Sequence, residues 1–315
     1  MNKTSDVIAV GLIVADFVGA PISQFPAAGA LVTTNSITPS IGGCSANTSA
    51  DLAKLGVSVS LVGRVGDDFF GDFVCRSLEQ AGVNCQHVVR SSTQQTAATL
   101  VVNVEGEDRR FIHAVGANTE LTGAEVNDEL LRQAKVICVG GFGLNPALSG
   151  EHVRDRFRHA RDHDVITMLD VVLDDPQDCL EMAELALPET DFFMPNADEA
   201  RLMTGLEDVQ DQADFFLERG AKNVVITCGS AGVLLKSSDG TTLERPAFEV
   251  TQVDGTGGGD AFVAGFIYGL LKQVSLSDCL RYGSAMGASC VRAAGATTGV
   301  FDAAELETFV ATEKG

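Results

Sequence analysis

The sequence predicts an α/β fold, a doubly wound and mostly parallel sheet with helices on both faces and a small β lid. Two observations carry this prediction. Short apolar, β-rich runs alternate with helical patterns along most of the chain, and one stretch interrupts the alternation with two extended runs in succession. With 315 residues, the chain can bury roughly 75% of its unfolded surface. That size suits one large domain over residues 1–315.

The predicted strands are apolar runs that end at turn signals, and the predicted helices are periodic segments between them. The strands are residues 7–14, 57–62, 136–139, 165–170, 192–194 and 223–227. The helices include residues 47–55, 70–81, 151–164 and 210–219. Ligands of such sheets bind beyond the carboxyl ends of the strands, so we expect the functional residues to lie there.

The stretch that interrupts the alternation of strands and helices is a predicted β-hairpin. Residues 96–104 and 109–115 are extended runs joined by the turn 105–108, and residues 15–40 are also strand-like without a clear helix. Together they predict a lid over the site, with segments at about 15–40 and 94–116. An ordinary edge hairpin fits the sequence equally well.

Both faces of the first lid strand are substantially apolar. Leu100 and Val102 lie on one face and Val101 on the other. A two-stranded flap cannot cover both faces by itself, and exposed apolar strands are liabilities unless they are paired or buried. We therefore expect a homodimer in which two lids pack face to face.

The amino-acid composition narrows the range of expected binding partners. The chain has 22 Lys and Arg against 43 Asp and Glu, a net charge of −21, which repels nucleic acid and anionic lipid and leaves a small molecule or another protein. The eight cysteines show no C-x-x-C spacing, which indicates a reduced, cytoplasmic protein. The apolar run 7–18 is too short to span a membrane, so no membrane partner is expected.

The sequence Asp-Gly-Thr-Gly-Gly-Gly-Asp at residues 254–260 is the strongest functional signal. A glycine turn that opens a helix gathers backbone N–H groups at the positive end of the helix dipole, which forms an anion site. A carboxylate fits beside a phosphate when a hydroxyl lies between them, so Asp260 is predicted to be a general base. Taken alone, such a glycine cluster is more typical of a tight turn than of a site.

Residues 41–47 open a predicted helix with two glycines. The glycines allow close approach of the backbone to a ligand, and Asn47 can donate to and accept from a hydroxyl. Asp16 follows the first strand in an apolar context, where ligand hydroxyls would offset its burial. A helix cap at Asn47 and a turn at Asp16 are the alternatives.

Two further clusters follow later strands. Asn196 and Glu199 share a face of a first helical turn and could hold a hydrated Mg²⁺ ion. Taken alone, the pair is better explained as an asparagine cap with a glutamate at the third helical position. Residues 227–232 suit a hairpin or a nucleotide phosphate site, with the Thr227 hydroxyl as a donor.

In this order, the motifs resemble the ribokinase-like (PfkB) family of carbohydrate and nucleoside kinases, from residue 7 to about 299. The matching motifs are Gly42-Gly43 with Asn47, Gly66-Asp67-Asp68-x-x-Gly71, Gly116-Ala117-Asn118, Asn196-x-x-Glu199, Thr227-x-Gly229 and the signature at 254–260. The resemblance implies a single ribokinase-like kinase domain that uses ATP and Mg²⁺.

The resemblance also implies roles. Asp260 would be the catalytic base, with the amides of Gly257, Gly258 and Gly259 as the anion hole. The residues that would hold the sugar hydroxyls are Asp16, Gly42, Gly43 and Asn47. Those on the ATP side would be Thr227 and Gly229, and those that organise Mg²⁺ through water would be Asn196 and Glu199. Asp254 and Thr256 resemble a site for a monovalent cation such as K⁺.

The sequence departs from the usual family motifs at several positions, and these differences limit the substrate assignment. Glycine stands at 258, where the family often has alanine, and at 255, where it often has threonine or serine; both changes keep the backbone N–H groups of the loop. The run 170–174 lacks the asparagine and arginine that many fructose-type members have after this strand. We expect an ATP-dependent kinase of a primary hydroxyl on a small sugar such as ribose or a ketohexose. A nucleoside kinase is the nearest alternative. An NAD-dependent oxidoreductase and a non-catalytic sugar or nucleotide sensor are alternatives of different classes.

Overall fold

The computed structural model describes residues 5–107 and 109–312. The ends of the predicted domain 1–315 and one position of the predicted turn, Asp108, lie outside them. The strands are β1 (Val7–Gly11), β2 (Val14–Gly19), β3 (Ile37–Gly42), β4 (Val59–Gly66), β5 (Asn84–Ser91), β6 (Ala98–Val102), β7 (Arg110–Ala114), β8 (Val136–Phe142), β9 (Ile166–Val171), β10 (Phe192–Phe193), β11 (Asn223–Thr227), β12 (Val233–Ser237) and β13 (Thr242–Arg245). The helices are α1 (Cys44–Lys54), α2 (Phe69–Gln80), α3 (Asp128–Leu131), α4 (Gly150–Arg161), α5 (Pro176–Ala186), α6 (Ala197–Thr204), α7 (Val209–Glu218), α8 (Gly258–Leu271), α9 (Leu276–Cys290) and α10 (Ala303–Thr312).

The main sheet has nine strands in the order β13-β12-β11-β10-β9-β8-β1-β4-β5. The strands from β11 to β5 pair in parallel, and β12 and β13 form an antiparallel edge. The chain moves outward from β1 through β4 to β5 and later resumes on the other side at β8. The point where the strand order reverses therefore lies beside β1, where ligands of such sheets bind.

Successive side chains of β1 point to opposite faces of the main sheet and pack into two separate hydrophobic clusters. Val7 and Ala9 pack into a cluster with side chains of α1, α2, α8 and α9. Ile8 and Val10 pack into a second cluster with side chains of α4 to α7. Because successive strand residues point to opposite faces, fully apolar strands imply helices on both sides. The predicted fold class is confirmed.

A four-stranded second sheet, in the order β3-β2-β6-β7, stands apart from the main one. Strands β6 and β7 are the predicted hairpin, paired antiparallel. The register places Asp16 opposite Thr99, and Thr99 opposite His113. Residues directly opposite one another share a face, so these three side chains lie on one side of the sheet.

The predicted first strand, 7–14, is wrong at its end. The strand stops at Gly11, and the chain then leaves the main sheet to begin β2 at Val14. Between the two strands, the side chain of Asn118 bonds the backbone of Ile13 as a neighbouring strand would. Its Oδ1 accepts from the N–H of Ile13 at 3.4 Å, and its Nδ2 donates to the Ile13 carbonyl at 3.1 Å. No helix of the described part of the chain is long and apolar enough to cross a membrane.

Candidate active site

Helix α8 begins directly at the glycine turn of the signature. Its N-terminal cap is Gly257, which has a φ of 77°, and a Cβ there would lie 2.4 Å from the carbonyl oxygen of Ala296. Only glycine satisfies both the left-handed backbone and this contact. The N–H of Gly258 bonds back to the Gly255 carbonyl at 3.3 Å, which closes the turn. The turn therefore brings the positive end of the α8 dipole to the cavity that Gly257 and Gly259 line.

Asp260 lies on the first turn of α8 beside helix α1. Its Oδ2 accepts a hydrogen bond from Asn47 Nδ2 at 2.8 Å, and its carbonyl accepts one from Thr48 Oγ1 at 3.3 Å. Burial raises the pKa of Asp260 to about 6, and the Asn47 hydrogen bond opposes that rise. The result is a carboxylate that is ionised at neutral pH and basic enough to take a proton from an alcohol.

Asn47 lies inside α1 and does not cap it. The cap is Gly43, and the backbone N–H of Asn47 donates to the Gly43 carbonyl at 2.9 Å. The Asn47 side chain is only 4% exposed, and its Oδ1 has no hydrogen-bond partner among the described residues. A buried carbonyl without a donor costs free energy, which a hydroxyl from a ligand would recover.

Asp16 lies in β2 rather than in a turn. Its carboxylate rests against the backbone of Gly42, where a Cβ would come within 2.1 Å of Asp16 Oδ2. Burial raises the pKa of Asp16, and a hydrogen bond with Thr99 lowers it. Thr99 Oγ1 in turn lies 3.0 Å from His113 Nδ1. The second sheet thus carries a linked acid, hydroxyl and imidazole on one face.

Two cavities meet at the start of α8. The smaller, of about 200 Å³, is lined by residues that include Cys44, Asp170, Glu199 and Asp260. The larger, of about 920 Å³, is in the size range of pockets for nucleotide-sized ligands. The residues that line both are Asn196, Thr227, Gly259 and Phe262. Gly229, on the loop between β11 and β12, lines the larger cavity but not the smaller one.

The predicted pair Asn196 and Glu199 forms a capping box at the start of α6. Asn196 Oδ1 accepts from the Glu199 N–H at 2.9 Å, and Glu199 Oε2 accepts from the Asn196 N–H at 2.8 Å. Burial raises the pKa of Glu199 to about 7 even though the hydrogen bond from the Asn196 backbone lowers it. The helix-cap interpretation is therefore observed, and it leaves an acid in the smaller cavity.

Asp254 contacts Thr256, with which the resemblance grouped it, and also Gly295 and Arg109. Its Oδ1 accepts from the N–H of Thr256 at 2.9 Å and its hydroxyl at 2.7 Å, and its Oδ2 accepts from the N–H of Gly295 at 2.9 Å. Arg109, which precedes β7, forms an ion pair with the same Oδ1. Burial alone would raise the pKa of Asp254, but these hydrogen bonds and the guanidinium together hold it low.

Sequence reasoning gave no role to three residues that the fold brings to this region: Cys44, Asp170 and Arg109. Asp170 is the second-last residue of β9, so the rule that ligands bind beyond strand ends could have found it. Cys44 directly follows the glycine pair of residues 41–47. Arg109 gave no signal, because its partner Asp254 lies 145 positions away in the sequence.

Comparison with known proteins shows to which family the chain belongs. A model of the pfkB family of carbohydrate kinases matches residues 4–303. The chain belongs to this family. It is therefore a carbohydrate kinase, an enzyme that transfers a phosphoryl group to an alcohol, and the predicted resemblance is confirmed.

Relatives are similar over almost their whole length. The chain is 27% identical to a 5-dehydro-2-deoxygluconokinase of Clostridium tetani, with 99% of this chain and 95% of the relative covered. It is 28% identical to a ribokinase of Haemophilus influenzae, with 95% and 96% covered. Among solved structures, an Arabidopsis thaliana ribokinase complexed with ribose and ATP shares the fold, with a TM-score of 0.87 at 23% identity over 99% of this chain and 100% of that one.

Proposed function

We propose that this carbohydrate kinase transfers the γ-phosphoryl group of ATP to a primary hydroxyl of a small, neutral sugar, with Asp260 as the general base. The observation that supports it most is the position of Asp260, on the first turn of α8 and bonded to Asn47 Nδ2 at 2.8 Å. The base takes the hydroxyl proton while the amides at Gly257, Gly258 and Gly259 stabilise charge on the transferred group.

The acceptor is proposed to bind between Asp260 and the second sheet. Asp16 and Asn47 hold its hydroxyls there, and Gly42 and Gly43 allow it to approach the backbone closely. Asp16 and Asp170 place acids rather than basic groups on this side, and burial raises the pKa of both. A carboxylate or phosphate on the acceptor would find no positive partner in these two residues, so we favour a ribose or ketohexose over a sugar acid. A nucleoside shares the same hydroxyls and is the second candidate.

ATP is proposed to occupy the larger cavity, with Thr227 and Gly229 against its phosphates. Its lining glycines, Gly255, Gly258 and Gly259, leave the backbone accessible. The residues fit Mg²⁺, because a cation near Glu199 would stabilise the ionised form of an acid whose pKa burial raises to about 7. Glu199 and Asn196 would hold the ion through water, and Mg²⁺ would then neutralise phosphate charge and orient the γ-phosphoryl group.

The residues fit a monovalent cation at Asp254 and Thr256 less well. Oδ1 of Asp254 already accepts from the N–H and hydroxyl of Thr256 and pairs with Arg109. A K⁺ ion would compete with that guanidinium for the same oxygen. We therefore propose that Arg109 supplies the positive charge at this loop, and that K⁺ binds here only when Arg109 leaves.

The second sheet is proposed to act as the lid, with segments at about 15–40 and 94–116, within one kinase domain. Its outer face supports a homodimer: the side chains of Ile37, Leu100 and Ile112 are 66%, 51% and 58% exposed. An apolar face of this kind marks an interaction surface. All eight cysteines are free, which supports a cytoplasmic location.

The test of the function is a panel of acceptors. ADP release is measured with ATP and Mg²⁺ for ribose, ketohexoses, nucleosides and the two sugar acids 5-dehydro-2-deoxygluconate and 2-dehydro-3-deoxygluconate. We expect a neutral sugar to give the highest kcat/KM. Turnover of a sugar acid as the best substrate would overturn the proposed acceptor class, and protection of the protein by NAD but not ATP would overturn the kinase itself.

A further inference from the structure

Three groups that metals bind converge at the smaller cavity. The Sγ of Cys44 and a carboxylate oxygen from each of Asp170 and Asp260 all lie within 4.8 Å of one another. They come from the start of α1, the end of β9 and the start of α8, so the fold rather than a local turn brings them together. Each of the three side chains lines the same cavity.

The cavity has the charge of a cation site. Glu199 is a third carboxylate in its wall, and the described residues that line it include no Lys, Arg or His. Beside Asp260, the buried Oδ1 of Asn47 has no hydrogen-bond partner among the described residues. Carboxylates partly removed from water favour a compensating positive charge nearby, and an unpaired carbonyl is a further oxygen ligand or water acceptor.

The donor set selects the kind of cation. Mg²⁺ prefers an octahedron of oxygens and binds sulfur poorly, whereas Zn²⁺ takes a thiolate at about 2.3 Å and carboxylates at about 2.0–2.2 Å in a tetrahedron. Three protein ligands leave a fourth position for water. With those bond lengths the ligand atoms of a tetrahedron lie roughly 3.3–3.8 Å apart. The three ligand atoms here already lie within 4.8 Å of one another.

We propose that Cys44, Asp170 and Asp260 bind a thiophilic divalent cation of the Zn²⁺ type, and that this ion inhibits the enzyme. On binding, the Cys44 thiol loses its proton to solvent and its sulfur forms a bond to the metal. The Asp260 oxygen that would accept the proton of the sugar hydroxyl is then occupied. Binding rests on the geometry alone, while inhibition rests on the proposed role of Asp260.

Co²⁺ replaces Zn²⁺ as a probe of binding, because a cobalt–thiolate bond absorbs in the near ultraviolet. The full-length protein is titrated with Co²⁺ without ATP or sugar. We expect a charge-transfer band in the wild type that added Zn²⁺ removes. Cys44→Ser should lose the band, and Asp170→Asn should weaken Co²⁺ affinity by at least about 10-fold. Cys75→Ser is the matched control, a half-buried cysteine on α2 outside the cluster, and should keep the band.

Inhibition is measured separately, with Zn²⁺ added to the reaction in excess Mg²⁺. We expect Zn²⁺ to compete with the sugar rather than with ATP, and Asp170→Asn to raise the half-inhibitory Zn²⁺ concentration at least about 10-fold. Absence of the cobalt–thiolate band, or an equal band in Cys44→Ser, would overturn the site whatever the activity. A band without inhibition would overturn the inhibitory role and count against Asp260 as the base. Thermal melts of each variant show that it is folded.

Discussion

Asp260 has two properties that suit the proposed general base, a position on the first turn of α8 and a pKa near the working pH. Burial raises its pKa to about 6, and the hydrogen bond from Asn47 Nδ2 stabilises the ionised form. In the proposed role of a base, Asp260 works only when it is deprotonated. Activity is therefore present above this pKa and lost as the pH falls through it.

The first prediction is the acid limb of the pH profile. We expect kcat/KM to fall below a pH near 6. Asn47→Ala should move that limb to higher pH, because it removes a hydrogen bond that lowers the pKa of Asp260. The measurement is kcat/KM for the sugar from pH 5 to 9. An acid limb that does not move in Asn47→Ala would contradict the coupling of these two residues.

The second prediction concerns Asp16. Its carboxylate lies against Gly42 in the second sheet, away from the larger cavity. Asp16→Ala should raise KM for the sugar at least about 10-fold while KM for ATP changes little, since only the sugar loses a hydrogen bond in a dry site. Thr227→Ala is the opposite control and should affect ATP more. An equal change in both KM values for Asp16→Ala would assign it a purely structural role.

At the scale of elements, the ion pair between Arg109 and Asp254 joins the loop before β7 to the loop before α8. The same Asp254 carboxylate holds Thr256 and Gly295 in place. The contact therefore connects the second sheet to the glycine turn at the start of α8. Removal of the guanidinium would leave the Asp254 carboxylate without an ion-pair partner, held only by its hydrogen bonds from Thr256 and Gly295.

The third prediction follows from this pair. Arg109→Ala should lower kcat/KM in buffers without K⁺ or Na⁺, and K⁺ should restore much of the loss, because the ion can then bind the oxygen that Arg109 occupied. The wild type should respond weakly to K⁺. Arg110→Ala is the control, since Arg110 pairs with Glu107 instead. Equal K⁺ activation of the wild type and Arg109→Ala would contradict the proposed role of Arg109.

The elements were largely predictable because their signals are local. Alternation and apolar runs located β8, β9 and β11 to within a few residues, and the glycine turn located the start of α8. The contacts of the site are non-local and were not predictable in the same way. The 2.8 Å bond from Asn47 to Asp260 joins residues 213 positions apart, and the Arg109 pair joins residues 145 apart. Family resemblance, rather than spacing, placed Asn47 and Asp260 in one site.

At the scale of the whole molecule, the outer face of the second sheet carries large apolar side chains that the single chain leaves exposed. Leu100 and Ile112 face each other across β6 and β7 in the pairing register and are both more than half exposed. Their neighbours Thr99 and Val101 point the other way and are buried. The alternation predicted for this strand is therefore observed, while the dimer that it suggests stays a prediction.

The fourth prediction tests that dimer. We expect the wild type to be a dimer by light scattering, and the double variant Leu100→Asp, Ile112→Asp to be a monomer, because charges on the shared face oppose its burial. Leu202→Asp is a matched control on α6, since Leu202 and Leu100 are both 51% exposed. A monomeric wild type, or a double variant that stays dimeric, would remove the second sheet as the interface.

The most direct test of the account is Asp260→Asn with the best sugar of the panel. We expect kcat to fall at least about 10²-fold while ATP affinity stays within a few-fold, because a general base contributes that much and the nucleotide contacts lie elsewhere. Folding is checked by thermal melts at pH 8. Because a raised pKa makes the ionised carboxylate unfavourable in the folded state, the variant should be at least as stable as the wild type there, with the difference shrinking toward pH 4. Near-normal turnover by a folded Asp260→Asn would contradict the central claim that Asp260 is the base.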